Sequence, residues 1–263
     1  MPEKVRLGGM ALANGVLVHG PTAWGCAVRT EDGVLRTASG KKLFAAASLE
    51  NPLVRGPARL LEAIAVLPQV KRALPEAKLP FERPAVLVAM AASAVTVRAL
   101  RETEKVGAVA RELAGGLISV APALFALRGG ELASYHGAEH ISIGTYEHGE
   151  ARPKEHERCG SHLVGPLLAT SAAGNALAGA APSRFRRPAR IAAQFGALAA
   201  STEIFGWMTR HPDHPLSRAL ARPGHELQHR VATAEPTPEQ LEVARAALEA
   251  CLALEDGDDQ RDA

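Results

Sequence analysis

Cysteine and aromatic residues are scarce in this chain of 263 residues, and neither sign of charge dominates. Its three cysteines, Cys26, Cys159 and Cys251, stand far apart, which argues against a disulfide scaffold and is typical of a reducing compartment. Aromatic residues make up only 4% while alanine is abundant, a composition that favours closely packed helices. The 30 Lys and Arg residues are offset by 28 Asp and Glu residues, so the charge predicts no nucleic-acid partner.

Long apolar runs are also few. The first residues, MPEKVRLGGM, are charged and contain no apolar core, so we expect no signal peptide. The run from 159 to 183 carries no charged residue, is long enough to span a bilayer, and is followed by the basic segment RFRRPAR. Its richness in Ala, Gly and Ser weakens the drive to insert. The sequence therefore leaves two alternatives, a membrane-embedded protein and a cytoplasmic one in which these segments are buried core helices.

Short β-branched runs in the first forty residues, such as GVLVHG and WGCAVRT, predict a small N-terminal β element over residues 1–45. The residues Glu31, Asp32 and Gly33 stand between two of these runs and are typical of a hairpin turn. The element is too small to form the whole core.

From residue 46 to 255 the apolar spacing becomes helical, which predicts one helical domain. Its last helix has the clearest start, with Thr237 as N-cap, Pro238 in the first turn and Gln240 closing a capping box. The tail 256–263 is predicted to be disordered. The expected fold class is mainly α with a small N-terminal β element (α+β), built from Ala- and Gly-rich apolar helices.

Five of the ten histidines lie between His136 and His162, within the predicted motif region 135–162. In YHGAEH, a helix would place His136 and His140 on one face with Glu139 beside them. Two imidazoles at that spacing can share one Zn²⁺, and the carboxylate can take a proton from water that the metal activates. The pattern H-x-x-E-H is that of an inverted zincin. We therefore predict a divalent metal site, with zinc as the expected ion.

A catalytic metal site needs a third protein ligand, and the nearby candidates are Glu147, His156 and Cys159. Cys159 would bind as a thiolate, and Arg158 beside it would help to lower the pKa of the thiol. Gly137 inside the motif weakens a helix by about 1 kcal/mol relative to Ala, which indicates a special backbone or packing need. The alternative is a polar surface loop whose histidines bind nothing.

A second motif, HELQH, contains His225, Glu226 and His229 and matches the ordinary zincin signature H-E-x-x-H. It lies in a polar stretch broken by prolines, which argues against an independent site. Its residues would then lie apart from the first cluster or donate ligands to it.

The segments GGMALANGVLVHGPTAWGCAVRTEDG, NPLVRG, YHGAEHISIGTYEHGE, HERCGSH and TAEPTPEQLEVARAALEA occur in this order. Together they resemble the YqhQ-like bacterial family of unknown function. The resemblance implies a metal-dependent protein embedded in the bacterial cell membrane. The chain departs from the family pattern at Met10, Asn14, His19 and Ile141, where the pattern has Gln, Glu, Arg and Lys. If those polar residues serve a reaction in relatives, this chain has lost or altered it.

Two functions of different classes follow from these patterns. In the first, the protein is a metal-assisted hydrolase in which His136 and His140 bind the metal, Glu139 is the general base, and Cys159 or His156 completes the ligand set. In the second, it is a non-catalytic membrane protein that helps other membrane proteins to assemble or persist, and the metal is structural. A closed site with four ligands would favour the second function, and an open site the first.

Overall fold

A four-stranded antiparallel sheet forms the N-terminal part of the fold. The structure is a computed structural model and describes residues 4–44, 46, 49–103, 107–127 and 130–259 of the chain. The strands are β1 (Gly8–Leu12), β2 (Gly15–His19), β3 (Ala23–Arg29) and β4 (Leu35–Lys41), paired in chain order. The predicted hairpin turn joins β3 to β4, with Gly33 at φ 81°. The prediction of a small N-terminal β element is confirmed.

The rest of the described chain is mainly helical, as predicted. Helices α1 to α9 span Pro52–Ala65, Leu67–Ala73, Pro84–Glu102, Ala108–Leu127, Glu131–His148, Val164–Gly179, Arg186–Arg210, Pro215–Leu227 and Pro238–Asp259. A π-helical turn, Gln228–Ala232, follows α8 directly.

The start of α9 has the predicted capping box. The Thr237 N–H donates to Gln240 Oε1 at 3.0 Å, and the Gln240 N–H donates to Thr237 Oγ1 at 3.3 Å. The helix continues into the predicted tail as far as Asp259, and residues 260–263 lie outside the described residues.

Alternate residues of the strands pack into two cores on opposite faces of the sheet. On one face Val16, Val18 and Ala27 contact the apolar sides of α5 and α9. On the other face Leu17 and Cys26 contact α2 and the chain that follows it. The sheet is thus a buried layer between helices, and it fixes α5 and α9 relative to each other.

The Glu255 carboxylate, near the end of α9, joins this helix to the sheet. Its Oε1 accepts hydrogen bonds from the backbone N–H groups of Thr22 and Ala23 at 2.9 and 2.6 Å, and its Oε2 accepts one from the Thr22 hydroxyl at 2.9 Å. Glu255 is buried, so the three bonds replace the water that the carboxylate loses on folding.

The predicted membrane span over residues 159–183 is not one helix. A 3-10 turn, Gly160–Leu163, precedes α6, and α6 has 16 residues, fewer than the roughly 20 that cross a bilayer. Across the described residues, no single helix combines the length and apolar character needed to cross a membrane. The consecutive segments Ala114–Leu127 and Glu131–His148 would suffice together, but they are bent by 93°.

We predict that Glu255→Ala lowers the free energy of unfolding by about 2–4 kcal/mol, because the buried N–H of Ala23 and the part-buried N–H and hydroxyl of Thr22 lose their acceptor. Urea unfolding measures the change. Glu249→Ala is the matched control, since Glu249 is exposed on the same helix, and it should change the free energy by less than about 0.5 kcal/mol. Equal stabilities of the two variants would show that Glu255 does not anchor α9.

Candidate metal centre

Helix α5 and the loop after it bring together three of the predicted metal ligands, His136, His140 and Cys159. The two histidines lie one helical turn apart, with ring centroids separated by 4.3 Å. Cys159 precedes the 3-10 turn, and its Sγ lies 3.6 Å from His136 Nε2. One donor atom from each of the three residues lies within 4.8 Å of the other two.

Both imidazoles are oriented by backbone carbonyl groups. His136 Nδ1 lies 2.8 Å from the Ala232 carbonyl oxygen, and His140 Nδ1 lies 2.6 Å from that of Lys154. A carbonyl oxygen only accepts hydrogen bonds, so each Nδ1 carries a proton, and Nε2 is the nitrogen that offers a lone pair in the neutral ring. Metal-binding histidines in proteins are commonly held in this way. The arrangement therefore fits a metal ion bound through Nε2.

Gln228, in the π-helical turn, holds the loop that carries Cys159. Its side chain is fully buried, accepts a hydrogen bond from the His156 N–H at 2.8 Å, and donates to the His156 carbonyl and the Ser161 hydroxyl at 3.1 and 2.7 Å. The same turn ends at Ala232, which supplies the carbonyl for His136. One short π-helical segment thus positions both the loop that carries Cys159 and the candidate ligand His136. Such turns are frequent at functional sites.

Gly137 has the packing need that the sequence indicated. A Cβ added there would lie 2.2 Å from the Ala234 carbonyl oxygen, so only glycine permits this approach of the chain to α5. The adjacent Ala234 N–H donates to the Ala133 carbonyl at 2.9 Å. The close approach brings the end of the π-helical turn alongside His136.

Burial controls the ionisation of the central groups. It lowers the pKa of His140 to about 2, so this imidazole is neutral at physiological pH. It raises the pKa of Glu139 to about 8, with His136 opposing the shift and Cys159 adding to it. The Glu139 carboxyl packs against β1, where a Cβ added to Gly9 would lie 2.4 Å from Oε1.

The expectation that Arg158 lowers the pKa of the Cys159 thiol is wrong. Arg158 pairs with Glu147 instead, and burial raises the pKa of the thiol, partly opposed by hydrogen bonds with Ser161. A bound cation is then the group that would favour the thiolate.

Glu147 and His156 lie beside the three-residue cluster but do not belong to it. His156 Nε2 is 3.1 Å from Glu147 Oε2, and the other oxygen of that carboxylate pairs with Arg158. The ring centroid of His156 lies 5.5 Å from that of His140. These side chains therefore form a neighbouring layer that packs against the cluster.

The second motif provides no ligand to the cluster among the described side chains. His229 is exposed, and its Nδ1 lies 2.9 Å from Glu155 Oε1, while Glu226 pairs with Arg230 at 2.9 Å. The rings of His225 and His229 are parallel within 11° with centroids 6.3 Å apart. The segment contributes instead the buried Gln228, at the second variable position of H-E-x-x-H, which holds the loop that carries Cys159.

Two of the positions that depart from the family pattern, Asn14 and His19, form contacts that stabilise the fold. The buried Asn14 amide donates to the Arg29 and Glu76 carbonyls at 3.1 Å and accepts from the Lys78 N–H at 2.9 Å. His19 Nδ1 lies 3.2 Å from Lys42 Nζ, and burial, followed by the charge of Lys42, lowers its pKa to about 4.

Sequence reasoning missed the groups that orient the ligands. The carbonyls of Lys154 and Ala232 belong to the backbone and leave no signature in side-chain identity. Gln228 has only a weak sequence signal, because a polar residue within HELQH gives no indication that it is buried. The Met10 and Ile141 side chains, half-buried, make no polar contact that would distinguish them.

Residues 131–254, just under half of the chain, match a family model described as a protein of unknown function (DUF1385). The matched region runs from α5 into α9 and contains every residue of the cluster. No curated protein and no solved structure matches the chain significantly. The chain is thus similar, over its site-bearing part, to a family for which no activity is established.

Proposed function

We propose that the protein holds one divalent metal ion, of the zinc class, through His136, His140 and Cys159, and that it uses this ion in metal-assisted hydrolysis with Glu139 as the general base. The observation that carries the proposal is the convergence of three donors from two segments, α5 and the loop after it, with both histidine Nδ1 atoms bonded to carbonyl groups. Such orientation of ligands is characteristic of metal centres.

The distance between the donor atoms of Cys159 and His136 agrees with tetrahedral coordination of zinc. Zinc bonds of about 2.0–2.1 Å to nitrogen and 2.3 Å to sulfur separate the two ligand atoms by about 3.6 Å. The Sγ of Cys159 and the Nε2 of His136 are 3.6 Å apart. His140, with its low pKa, offers a neutral imidazole without loss of a proton. The donor atom of His140 lies within 4.8 Å of the other two, so a bound ion would draw the three donors closer together.

Three protein ligands support a catalytic role, because catalytic zinc sites keep a fourth position for water or substrate. A bound ion would supply Lewis acidity and lower the pKa of water at that position. Glu139 lies next to His140 in the chain, and burial raises the pKa of its carboxyl to about 8. Without an ion a carboxyl of that pKa is mainly protonated at neutral pH, and the positive charge of a bound ion would lower its pKa and favour the carboxylate that acts as the base.

A structural metal site in a protein that supports the assembly of membrane proteins is the second candidate. It is favoured by the deep burial of the centre, where His140 is 2% and Glu139 is 5% exposed. It is also favoured by the position of the cluster between α5, the loop after it and the π-helical turn. Under this proposal the ion would hold these segments together and Glu139 would have no chemical task.

We further propose that the protein associates with the membrane. Large apolar side chains are exposed along α3, including Leu87, Val88 and Val95 at 52, 68 and 69%. The exposed arginines of the segment before and at the start of α7 would attract anionic lipid headgroups. Exposed apolar side chains together with exposed basic residues are typical of proteins that lie in a membrane interface.

Protein purified without a histidine tag is expected to contain close to one zinc or similar ion per chain, by elemental analysis. His136→Ala with His140→Ala should reduce this content at least tenfold, because one remaining ligand does not hold zinc. The matched control is His225→Ala with His229→Ala, which removes the same number of histidines at the same spacing. Unchanged metal content in the first variant would contradict the assignment of His136 and His140. Loss of metal in the control alone would assign the site to His225 and His229.

Glu139→Gln is expected to retain the metal and to lose hydrolysis of activated aryl esters and aryl phosphates by about 10²–10⁴-fold, the usual contribution of a general base. The control Glu226→Gln should keep the parent rate. Rates are measured on zinc-loaded protein at equal metal content. Equal rates in both variants, together with a large fall in melting temperature on chelation, would favour the structural metal site.

Membrane fractionation tests the association. The protein should sediment with membranes and resist extraction by high salt and carbonate. Val88→Asp with Val95→Asp should release it, because two charges would enter the exposed apolar face of α3. The control, Val34→Asp with Leu43→Asp, adds the same charge to exposed positions near the sheet and should leave fractionation unchanged. Recovery of the parent protein in the soluble fraction as a monomer would contradict the proposal.

A further inference from the structure

We propose that a cavity beside the metal centre is a binding site for a phosphate monoester that carries an apolar chain. The cavity has a volume of about 700 Å³ and lies between the end of α7, helix α8 and the loop over residues 153–162. This proposal goes beyond the metal centre and does not depend on it, since none of His136, His140 and Cys159 lines the cavity.

Much of the cavity wall is apolar. Phe205 and Met208 of α7 and Pro212 after it face the space, together with Ala221 of α8. Ligand cavities of this size are usually lined in this way, and a few polar groups fix the orientation of the ligand. An alkyl or acyl chain would replace water on these side chains and bury apolar surface.

The polar part of the wall is positively charged. Arg218 and Arg222 lie one turn apart on α8 and line the cavity, and neither forms an ion pair with a carboxylate among the described residues. The two carboxylates of the wall are already paired, Glu155 with His229 at 2.9 Å and Glu157 with His148 at 3.4 Å. The two guanidinium groups therefore remain available for an anion.

Ser217 gives an independent sign of a ligand. It lines the cavity, is only 2% exposed, and its hydroxyl has no hydrogen-bond partner among the described residues. Leaving a buried hydroxyl unpaired costs about 1–3 kcal/mol, so such groups in folded proteins usually have a partner. Rotation about the Cα–Cβ bond of Ser217 would turn the hydroxyl toward an acceptor oxygen of a ligand in the cavity.

The number of donors favours phosphate over carboxylate. Arg218, Arg222 and the Ser217 hydroxyl offer more donors than the two oxygens of a carboxylate can accept in good geometry, whereas a phosphate monoester has three terminal oxygens. His162 also lines the cavity and is buried, and its Nδ1 is 3.1 Å from the Ala221 carbonyl. Burial lowers the pKa of His162 and favours its neutral form, so the positive charge that faces an anion comes from the arginines.

Calorimetry with octyl phosphate, below the concentration at which it forms micelles, tests the proposal on the full chain. Octyl phosphate should bind saturably and at least ten times more tightly than inorganic phosphate or octyl glucoside, since each of these comparators has only one of the two recognised features. Equal affinity for octyl glucoside would overturn the assignment of an anion site, and equal affinity for inorganic phosphate would overturn the apolar part.

Two sets of variants locate the binding. Arg218→Ala with Arg222→Ala should weaken octyl phosphate binding at least tenfold. The control, Arg72→Ala with Arg245→Ala, removes two exposed arginines from α2 and α9, outside the cavity wall, and should bind as the parent does. Ser217→Ala should weaken binding while leaving the melting temperature equal or higher, because an unpaired hydroxyl is lost. Parent-like binding by the α8 double variant would overturn the proposal.

Vesicles of phosphatidylcholine with and without phosphatidic acid distinguish a lipid from a soluble ester as the source of the phosphate. Added retention on phosphatidic acid that requires Arg218 and Arg222 would identify the lipid, and octyl phosphate binding without it would identify a soluble ester. The variant His136→Ala with His140→Ala should still bind octyl phosphate. If this variant loses the metal and still binds octyl phosphate, the two sites are independent. If it is folded and no longer binds octyl phosphate, their independence is contradicted.

Discussion

The two hydrogen bonds from histidine Nδ1 atoms to backbone carbonyls are the constraint on which the candidate site depends. They leave Nε2 of each imidazole as the nitrogen that can bind a metal, and the Nε2 of His136 lies 3.6 Å from the Sγ of Cys159. The acceptors belong to different segments, Lys154 in the loop after α5 and Ala232 at the end of the π-helical turn. The site therefore exists only when these segments are packed against α5, and buried Gln228 and the close approach at Gly137 provide that packing.

The N-terminal sheet completes this arrangement, although it lies outside the region similar to DUF1385. Gly9 of β1 leaves space for the Glu139 carboxyl, and the contact helps to remove that carboxyl from water. The raised pKa of Glu139 therefore comes in part from a segment far away in sequence. The sheet is in turn held by α9 through Glu255, so the ionisation of the central carboxyl depends on the packing of the whole α+β core.

Local patterns in the sequence were sufficient to predict the β element, the hairpin at Gly33, the capped start of α9 and a helix that carries His136 and His140. Each depends on residues close together in the chain, whose preferences are read directly. The uncharged run over residues 159–183, one candidate for a span, does not form a single helix, because lack of charge does not reveal a turn at Gly160–Leu163. The pairing of Arg158 with Glu147, and the carbonyls that orient the ligands, depend on tertiary contacts that no local pattern encodes.

The layer formed by Glu147, His156 and Arg158 lies between the cluster and the cavity, and it gives the two a physical connection. Glu147 contacts both cationic partners, while His156 and Arg158 also line the cavity. The ring of His156 lies 5.5 Å from that of His140, so this layer also packs against the cluster. The cavity and the cluster therefore share a wall of side chains, while the residues proposed to bind a ligand in each remain distinct.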